Sequence, residues 1–201
     1  MTKKKIITIS GMSGSGKDTI LKELLKQDKK LKKIIATTTR IKRPQEIDGF
    51  DYHFKDDGYF ELNKRDILLQ EKFKVYDENN NQTIWKYGIH KSEFNFDENN
   101  IYILITTPKG VEELYNYFKD NQEIIIQSFL ITASFDVRLN RFNKRNDKQS
   151  ISEITRREAK DKVLFGEYIK KLKENNHNFI ELKNETEYNL NKCINKIFNL
   201  I

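Results

Sequence analysis

Seven consecutive residues, Gly11 to Lys17, have the types and spacing of a loop that binds phosphate groups. They read Gly-Met-Ser-Gly-Ser-Gly-Lys and fit the first seven positions of G-x-x-x-x-G-K-[ST]. Glycines let consecutive backbone amides turn inward around a β-phosphate, and the lysine can bridge the β- and γ-phosphates of ATP. The pattern therefore predicts an ATP-binding loop formed by Gly11, Ser13, Gly14, Ser15, Gly16, Lys17, Asp18 and Thr19.

The eighth position of this pattern usually carries a hydroxyl that contacts Mg²⁺, but here it is Asp18, and Thr19 follows one place later. Two alternatives stay open. Asp18 serves the metal directly or through water, as suits a hard cation, or Thr19 supplies the hydroxyl. In both cases we expect Mg²⁺ to accompany ATP.

A second set of phosphate-binding side chains follows the loop by about twenty residues. Arg40 and Arg43 lie three apart, just before Pro44, and their guanidinium forks can converge on one phosphate. Tyr52 adds a neutral donor nearby. This spacing predicts a site for the phosphate of an acceptor molecule.

From Thr38 to Phe54 the chain resembles the guanylate kinase family, whose pattern reads approximately S-x-T-T-R-x-x-R-x-x-E-x-x-G-x-x-Y-x-F. The resemblance implies that the acceptor is a nucleoside monophosphate, namely GMP or dGMP by the family's own preference. Thr37 stands beside Ala36, which occupies the family's serine position. Tyr87 looks like the tyrosine of the family's Tyr-Gly pair. The resemblance implies these acceptor-binding residues: Thr37, Arg40, Arg43, Glu46, Tyr52 and Tyr87.

Some base-reading positions of the family are changed here. Ala36 replaces a serine, Ile89 replaces a usual hydroxyl, and Val75 aligns with the carboxylate that reads guanine, with Asp77 and Glu78 nearby. A site built to pair with one base loses much affinity when a partner is missing. The alternatives are another nucleoside monophosphate or ribose 1,5-bisphosphate, since the run Gly16 to Thr19 also resembles ribose 1,5-bisphosphate kinase.

A basic segment near residues 138–157 is similar to the arginine-rich lid of this class of kinases. Arginines in such a lid spread positive charge over the transferring group and exclude water. A solvated basic helix face is the simpler alternative for each residue taken singly. The resemblance implies these catalytic residues: Lys17, Arg40, Arg141, Arg145 and Arg157.

Alternating apolar and amphipathic stretches should position these residues. The order of strand, glycine loop and helix at the start of the chain predicts an α/β fold with a parallel sheet and right-handed crossovers. We expect a three-layer P-loop NTPase core at residues 1–36 and 101–201, a helical lid at about 141–157, and an inserted acceptor-binding lobe at 37–100. Predicted strands cover residues 5–10, 33–39, 101–106, 123–132 and 178–182, and predicted helices begin at 17, 109, 134, 152 and 186.

Composition sets limits on the class of protein. The net charge is +7 and is spread along the chain, which favours anionic small molecules, whereas a nucleic-acid partner would rest on charge alone. A single cysteine excludes an internal disulfide, and no apolar run is long enough for a signal peptide or membrane span. We expect a cytoplasmic enzyme of unassigned oligomeric state. A guanylate-kinase-like binding module without catalysis is the alternative, but the loop retains Gly11, Gly16 and Lys17.

Overall fold

The structure, a computed structural model, describes residues 3–76, 82–97, 99–144, 151–177 and 179–201. It divides into two compact units. One combines Met1–Lys32 with Glu98–Ile201, and the other is Lys33–Asp97. The sequence had indicated an inserted lobe at residues 37–100.

The larger unit is built on a five-stranded sheet. The strands are β1 (Lys4–Ser10), β2 (Leu31–Lys33), β7 (Ile101–Ile105), β8 (Ile124–Thr132) and β9 (Phe179–Lys183). Their order in the sheet is β2-β7-β1-β8-β9. β1 pairs in parallel with β7 and β8, and β8 pairs in parallel with β9. The helices are α1 (Lys17–Gln27), α3 (Pro108–Phe118), α4 (Phe135–Asn143), α5 (Ile151–Glu174) and α6 (Glu187–Phe198).

Helices cover both faces of this sheet. Ile7 and Ile9 are fully buried on one face, in a core cluster that includes residues of α1 and α6. On the other face, Thr8 donates a hydrogen bond to Ser128 (2.8 Å), and Tyr115 of α3 donates its hydroxyl to the carbonyl of Ile126 (3.1 Å). Each fully buried isoleucine contributes about 2 kcal/mol to folding. The core is therefore a three-layer α/β sandwich, as the sequence predicted.

The smaller unit contains a four-stranded sheet. A long antiparallel hairpin of β5 (Ile67–Tyr76) and β6 (Gln82–His90) forms one side, with a register shift between Leu68 and Glu71. The short strands β3 (Thr37–Thr38) and β4 (His53–Phe54) form the other side. The strand order is β4-β3-β6-β5. Helix α2 (Asp57–Leu62) begins where the Asp56 carboxylate accepts a hydrogen bond from the Tyr59 amide (2.8 Å).

The predicted single strand at residues 33–39 was wrong. The structure has two short strands instead, β2 in the sheet of the larger unit and β3 in the sheet of the smaller one. Between them the amide of Ile35 donates to the Glu93 carboxylate (2.8 Å). Because the Glu93 side chain pairs with this amide, the chain can leave one sheet and enter the other. The apolar pattern of the sequence does not predict this break.

Within the described ranges, no helix combines the length and the apolar character that crossing a bilayer requires.

Candidate functional site

The glycine loop connects β1 to α1, and its glycines are required by the backbone. Gly14 has φ +80° and Gly16 has φ +97°, in the left-handed region that side chains disfavour. At Gly11 a Cβ atom would collide with the carbonyl oxygen of Ile131 and lie 2.6 Å from Ser15 Oγ. No substituent fits at Gly11 without moving β8, so the sequence pattern reflects a steric requirement.

Lys17 is the first residue of α1, and its ammonium group folds back over the loop. Its Nζ donates to the carbonyl oxygens of Gly11 (2.5 Å) and Met12 (3.1 Å). Gly16 occupies the N-cap position and supplies no side-chain hydrogen bond to the amides of the first turn. The N-terminus of α1, with its helix dipole, and the ammonium together make a site for anionic oxygens.

Two side chains hold this loop by its carbonyl oxygens. Arg141 of α4 donates to Gly14 O (3.2 Å) and Ser15 O (3.3 Å), and it also donates to Asn184 O (2.9 Å). The Asn184 amide, which is fully buried, donates to Ser15 O (2.8 Å). Burial lowers the pKa of the Arg141 guanidinium from its ordinary value, with Glu185 acting in the opposite direction. Side chains from α4 and from the end of β9 therefore fix the backbone of the loop.

Two of the three predicted lid arginines lie within the described residues. Arg141 contacts the glycine loop, as described above. Arg157 lies half-buried on α5, in the same unit. Arg145 lies outside the described residues. The catalytic roles of all three stay predictions.

The residues predicted to serve Mg²⁺ lie directly behind the loop. Asp18 and Thr19 are in the first turn of α1, and both are exposed. No group of three or more possible protein ligands for a metal occurs in the described part of the chain. Mg²⁺ commonly takes one or two protein oxygens and completes its shell with phosphate oxygens and water. One carboxylate and one hydroxyl therefore fit Mg²⁺ that arrives with ATP.

In the smaller unit, Arg40 and Glu46 form a two-pronged ion pair. Arg40 donates to the two Glu46 carboxylate oxygens at 3.0 and 2.6 Å, and the Arg43 amide donates to the same carboxylate (2.8 Å). Burial alone would lower the pKa of Arg40, but its bond to Glu46 keeps that pKa above the ordinary value. Burial alone would raise the pKa of Glu46, but the hydrogen bonds from Arg40 and Arg43 keep it below the ordinary value.

Aromatic rings surround the Arg40 guanidinium. Its Cζ lies 5.3 Å from the Tyr52 ring, 5.6 Å from the Phe54 ring and 6.0 Å from the Trp85 ring. The rings of Tyr52 and Tyr87 are 6.0 Å apart. The structure thus brings together four predicted acceptor residues, Arg40, Glu46, Tyr52 and Tyr87, in a cationic site with aromatic walls.

Thr37 is not part of this arrangement. Thr38 pairs with Phe54 and Tyr87 across the sheet, whereas Thr37 pairs with His53 and Gly88. Side chains alternate along a strand, so Thr37 points to the face opposite Tyr87. Its hydroxyl is buried there without a hydrogen-bond partner. The predicted contact of Thr37 with the acceptor gains no support from this position.

The base-reading positions are only partly described. Val75 and Ile89 are buried, and residues 77–81 lie outside the described residues, including Asp77 and Glu78. Glu71, which no sequence pattern indicated, lies directly across from Tyr87 in the hairpin. Only the strand register reveals this carboxylate, because the register shift between Leu68 and Glu71 cannot be predicted from residue types.

The Arg40–Glu46 pair should make stability depend on acid. Because the folded state holds the Glu46 pKa below its unfolded value of about 4.3, the contribution is complete above that pH and is lost as the pH falls through the folded pKa. We expect Glu46→Gln to be less stable at about pH 7 but to lose less stability than the wild type between about pH 4.5 and 3. Urea unfolding at these pH values measures this. If the free energy of unfolding fell equally in both proteins over this pH range, the Arg40–Glu46 pair would not be the source of the acid sensitivity.

Comparisons with known proteins agree with this architecture. A family model described as guanylate kinase matches residues 3–84. The guanylate kinase of Caldanaerobacter subterraneus subsp. tengcongensis is 35% identical over 155 residues, covering 76% of this chain and 69% of that protein. The guanylate kinase of Mesomycoplasma hyopneumoniae is 32% identical over 177 residues, covering 80% and 83%. The crystal structure of guanylate kinase from Anaplasma phagocytophilum superimposes with a TM-score of 0.61 at 20% identity, covering 99% of this chain and 85% of that one.

Proposed function

Since this chain belongs to the guanylate kinase family, we propose that it transfers the γ-phosphoryl group of ATP to GMP through the residues described above. The chain is a nucleoside-monophosphate kinase. The observation that carries the proposal is the complete phosphate loop, residues 11–17, in which Lys17 Nζ donates to the carbonyl oxygens of Gly11 and Met12 beside the N-terminus of α1. A binding module without catalysis has no need of this ammonium.

The larger unit supplies the donor site. The loop amides and Lys17 bind the β- and γ-phosphates of ATP, while Arg141 and Asn184 keep the loop in its binding shape. Asp18 or Thr19 would hold Mg²⁺, which would neutralise phosphate charge at the donor site. Arg157 adds positive charge at the transferring group, and we propose the same role for Arg145.

The smaller unit supplies the acceptor site. Arg40, Arg43, Tyr52 and Tyr87 hold the phosphate of GMP, and Glu46 fixes the Arg40 guanidinium so that its remaining N–H groups and charge serve the ligand. A phosphate oxygen of GMP attacks the γ-phosphorus, the bond to the β-phosphate oxygen breaks, and ADP leaves. Catalysis then rests on positioning and charge, with no covalent protein intermediate.

Other acceptors are not favoured, because the relatives described above are guanylate kinases. A coupled ADP-release assay with GMP, dGMP, AMP, CMP, UMP, dTMP and ribose 1,5-bisphosphate tests this directly. We expect GMP to have the highest kcat/KM. The ratio of kcat/KM for GMP to that for a monophosphate with another base should be smaller than the ~10⁴-fold expected of a site that pairs fully with guanine. The reason is that Val75 and Ile89 offer no polar group to a base. A higher kcat/KM for any other acceptor would contradict the GMP assignment. A cytoplasmic location follows as part of this proposal.

A further inference from the structure

A carboxylate contacts the phosphate loop, where negative charge opposes phosphate binding. The amide of Ser13 donates a hydrogen bond to Asp161 Oδ2 (3.1 Å). Asp161 lies on α5, 148 residues further along the chain. A negative charge beside a site for ATP has an electrostatic cost, so its presence calls for a compensating role.

Helices α4 and α5 both contact the backbone of Ser13, α5 at its amide and α4 at its carbonyl oxygen. Its carbonyl oxygen accepts a hydrogen bond from Arg138 Nη1 of α4 (3.3 Å). Arg138 Nη2 in turn lies 2.6 Å from Glu158 Oε2 of α5, and both side chains are buried. Helix α5 is therefore attached to the loop by two routes, one through Asp161 and one through Glu158 and Arg138.

Arg157 lies one helical turn before Asp161. Residues four apart lie on the same face of a helix and are separated by about 6 Å along its axis. If the Asp161 carboxylate is fixed at the Ser13 amide, the position of Arg157 relative to the phosphate loop is fixed as well. A displacement of about 1 Å in a charged group that acts on the transferring phosphoryl costs up to ~10²-fold in rate.

We propose that Asp161 is a positioning residue that fastens α5 to the phosphate loop and thereby places Arg157 at the transferring phosphoryl group. The inference rests on the proposed function, in which Arg157 acts on that group. Asp161 itself touches no reacting atom. The hydrogen bond, and not the charge, performs this role, and the charge only weakens ATP binding.

Four variants test the inference: Asp161→Ala, Asp161→Asn, Arg157→Ala and the double variant Asp161→Ala/Arg157→Ala. At saturating ATP and GMP, we expect Asp161→Ala to lower kcat by about 10-fold without raising KM for ATP. Asp161→Asn retains an acceptor oxygen and should stay within about 3-fold of the wild-type kcat, with an equal or lower KM for ATP. The double variant should have the kcat of Arg157→Ala alone, because Asp161 acts only through Arg157.

Glu167→Ala is the matched control, since it removes an exposed carboxylate elsewhere on α5. It should have wild-type kcat. If Asp161→Ala does not fold, as judged by thermal unfolding, Asp161→Glu displaces the carboxylate by one methylene group. That variant should also lower kcat, and its loss should also disappear when Arg157 is alanine.

Several results would overturn the inference. Additive losses in the double variant, wild-type kcat in Asp161→Ala, or equal losses in Asp161→Ala and Asp161→Asn would each do so while leaving the proposed function intact. Wild-type kcat in Arg157→Ala would overturn both this inference and the role proposed for Arg157. Absence of ADP release by the wild-type protein with every acceptor would instead contradict the proposed function itself.

Discussion

Lys17→Ala should lower kcat for GMP phosphorylation by about 10³-fold. Lys17 Nζ donates to the carbonyl oxygens of Gly11 and Met12, so the ammonium group lies at the loop itself. The ammonium is the only charge that the loop's own seven residues supply, and it acts where negative charge develops during transfer. Alanine removes that charge and leaves the loop backbone in place. Steady-state ADP release at saturating ATP and GMP measures the loss.

Lys22→Ala provides the control for this variant. Lys22 is also on α1, but it is exposed and lies more than one turn further along the helix. Its replacement should leave kcat within about 2-fold of the wild type, since surface charges are screened. Both variants should unfold at the wild-type temperature. Wild-type turnover in a folded Lys17→Ala protein would show that this loop does not bind the transferred phosphate.

Arg40→Ala should raise KM for GMP by about 10²-fold and should also destabilise the smaller unit by about 3 kcal/mol. The two effects have different causes. The first is the loss of a guanidinium fork for the acceptor phosphate. The second arises because Glu46, only 15% exposed, would keep its charge without the partner that now binds both of its oxygens. GMP titration at saturating ATP measures the first effect, and urea unfolding measures the second.

The double variant Arg40→Ala/Glu46→Ala separates these effects. Removing both partners should restore most of the stability, because no unpaired carboxylate remains, but it should leave KM for GMP high. Lys42→Ala, which replaces an exposed neighbouring cation, should change neither quantity. If Arg40→Ala lowered stability but left KM for GMP unchanged, Arg40 would be a structural residue of the lobe and not an acceptor ligand.

Helices with long periodic patterns could be predicted closely from the sequence. The helices expected to begin at residues 109 and 152 are Pro108–Phe118 and Ile151–Glu174. Both are amphipathic over several turns, so the pattern repeats often enough to define them. The β5–β6 hairpin was not predicted, because its two strands are set by pairing with each other and with β3, and the segment lacks a clear period-two pattern.

In the candidate site, too, residues that are contiguous in the chain could be predicted, whereas residues distant in the chain could not. The loop from Gly11 to Lys17 is contiguous, so its chemistry can be read directly from residue types. Asn184 and Asp161 contact the loop from 169 and 148 residues away. An isolated Asn or Asp in a polar stretch gives no signal of such a contact. The tertiary fold alone brings these side chains to the loop.

The single tryptophan of the chain lies beside the proposed acceptor site. The Trp85 ring is 6.0 Å from Arg40 Cζ, within the group of aromatic rings around that guanidinium. Indole emission is sensitive to nearby charge, and no second tryptophan contributes to the signal. The unmodified protein therefore contains its own optical reporter, with which occupancy of the smaller unit can be followed directly, in the absence of turnover and of coupling enzymes.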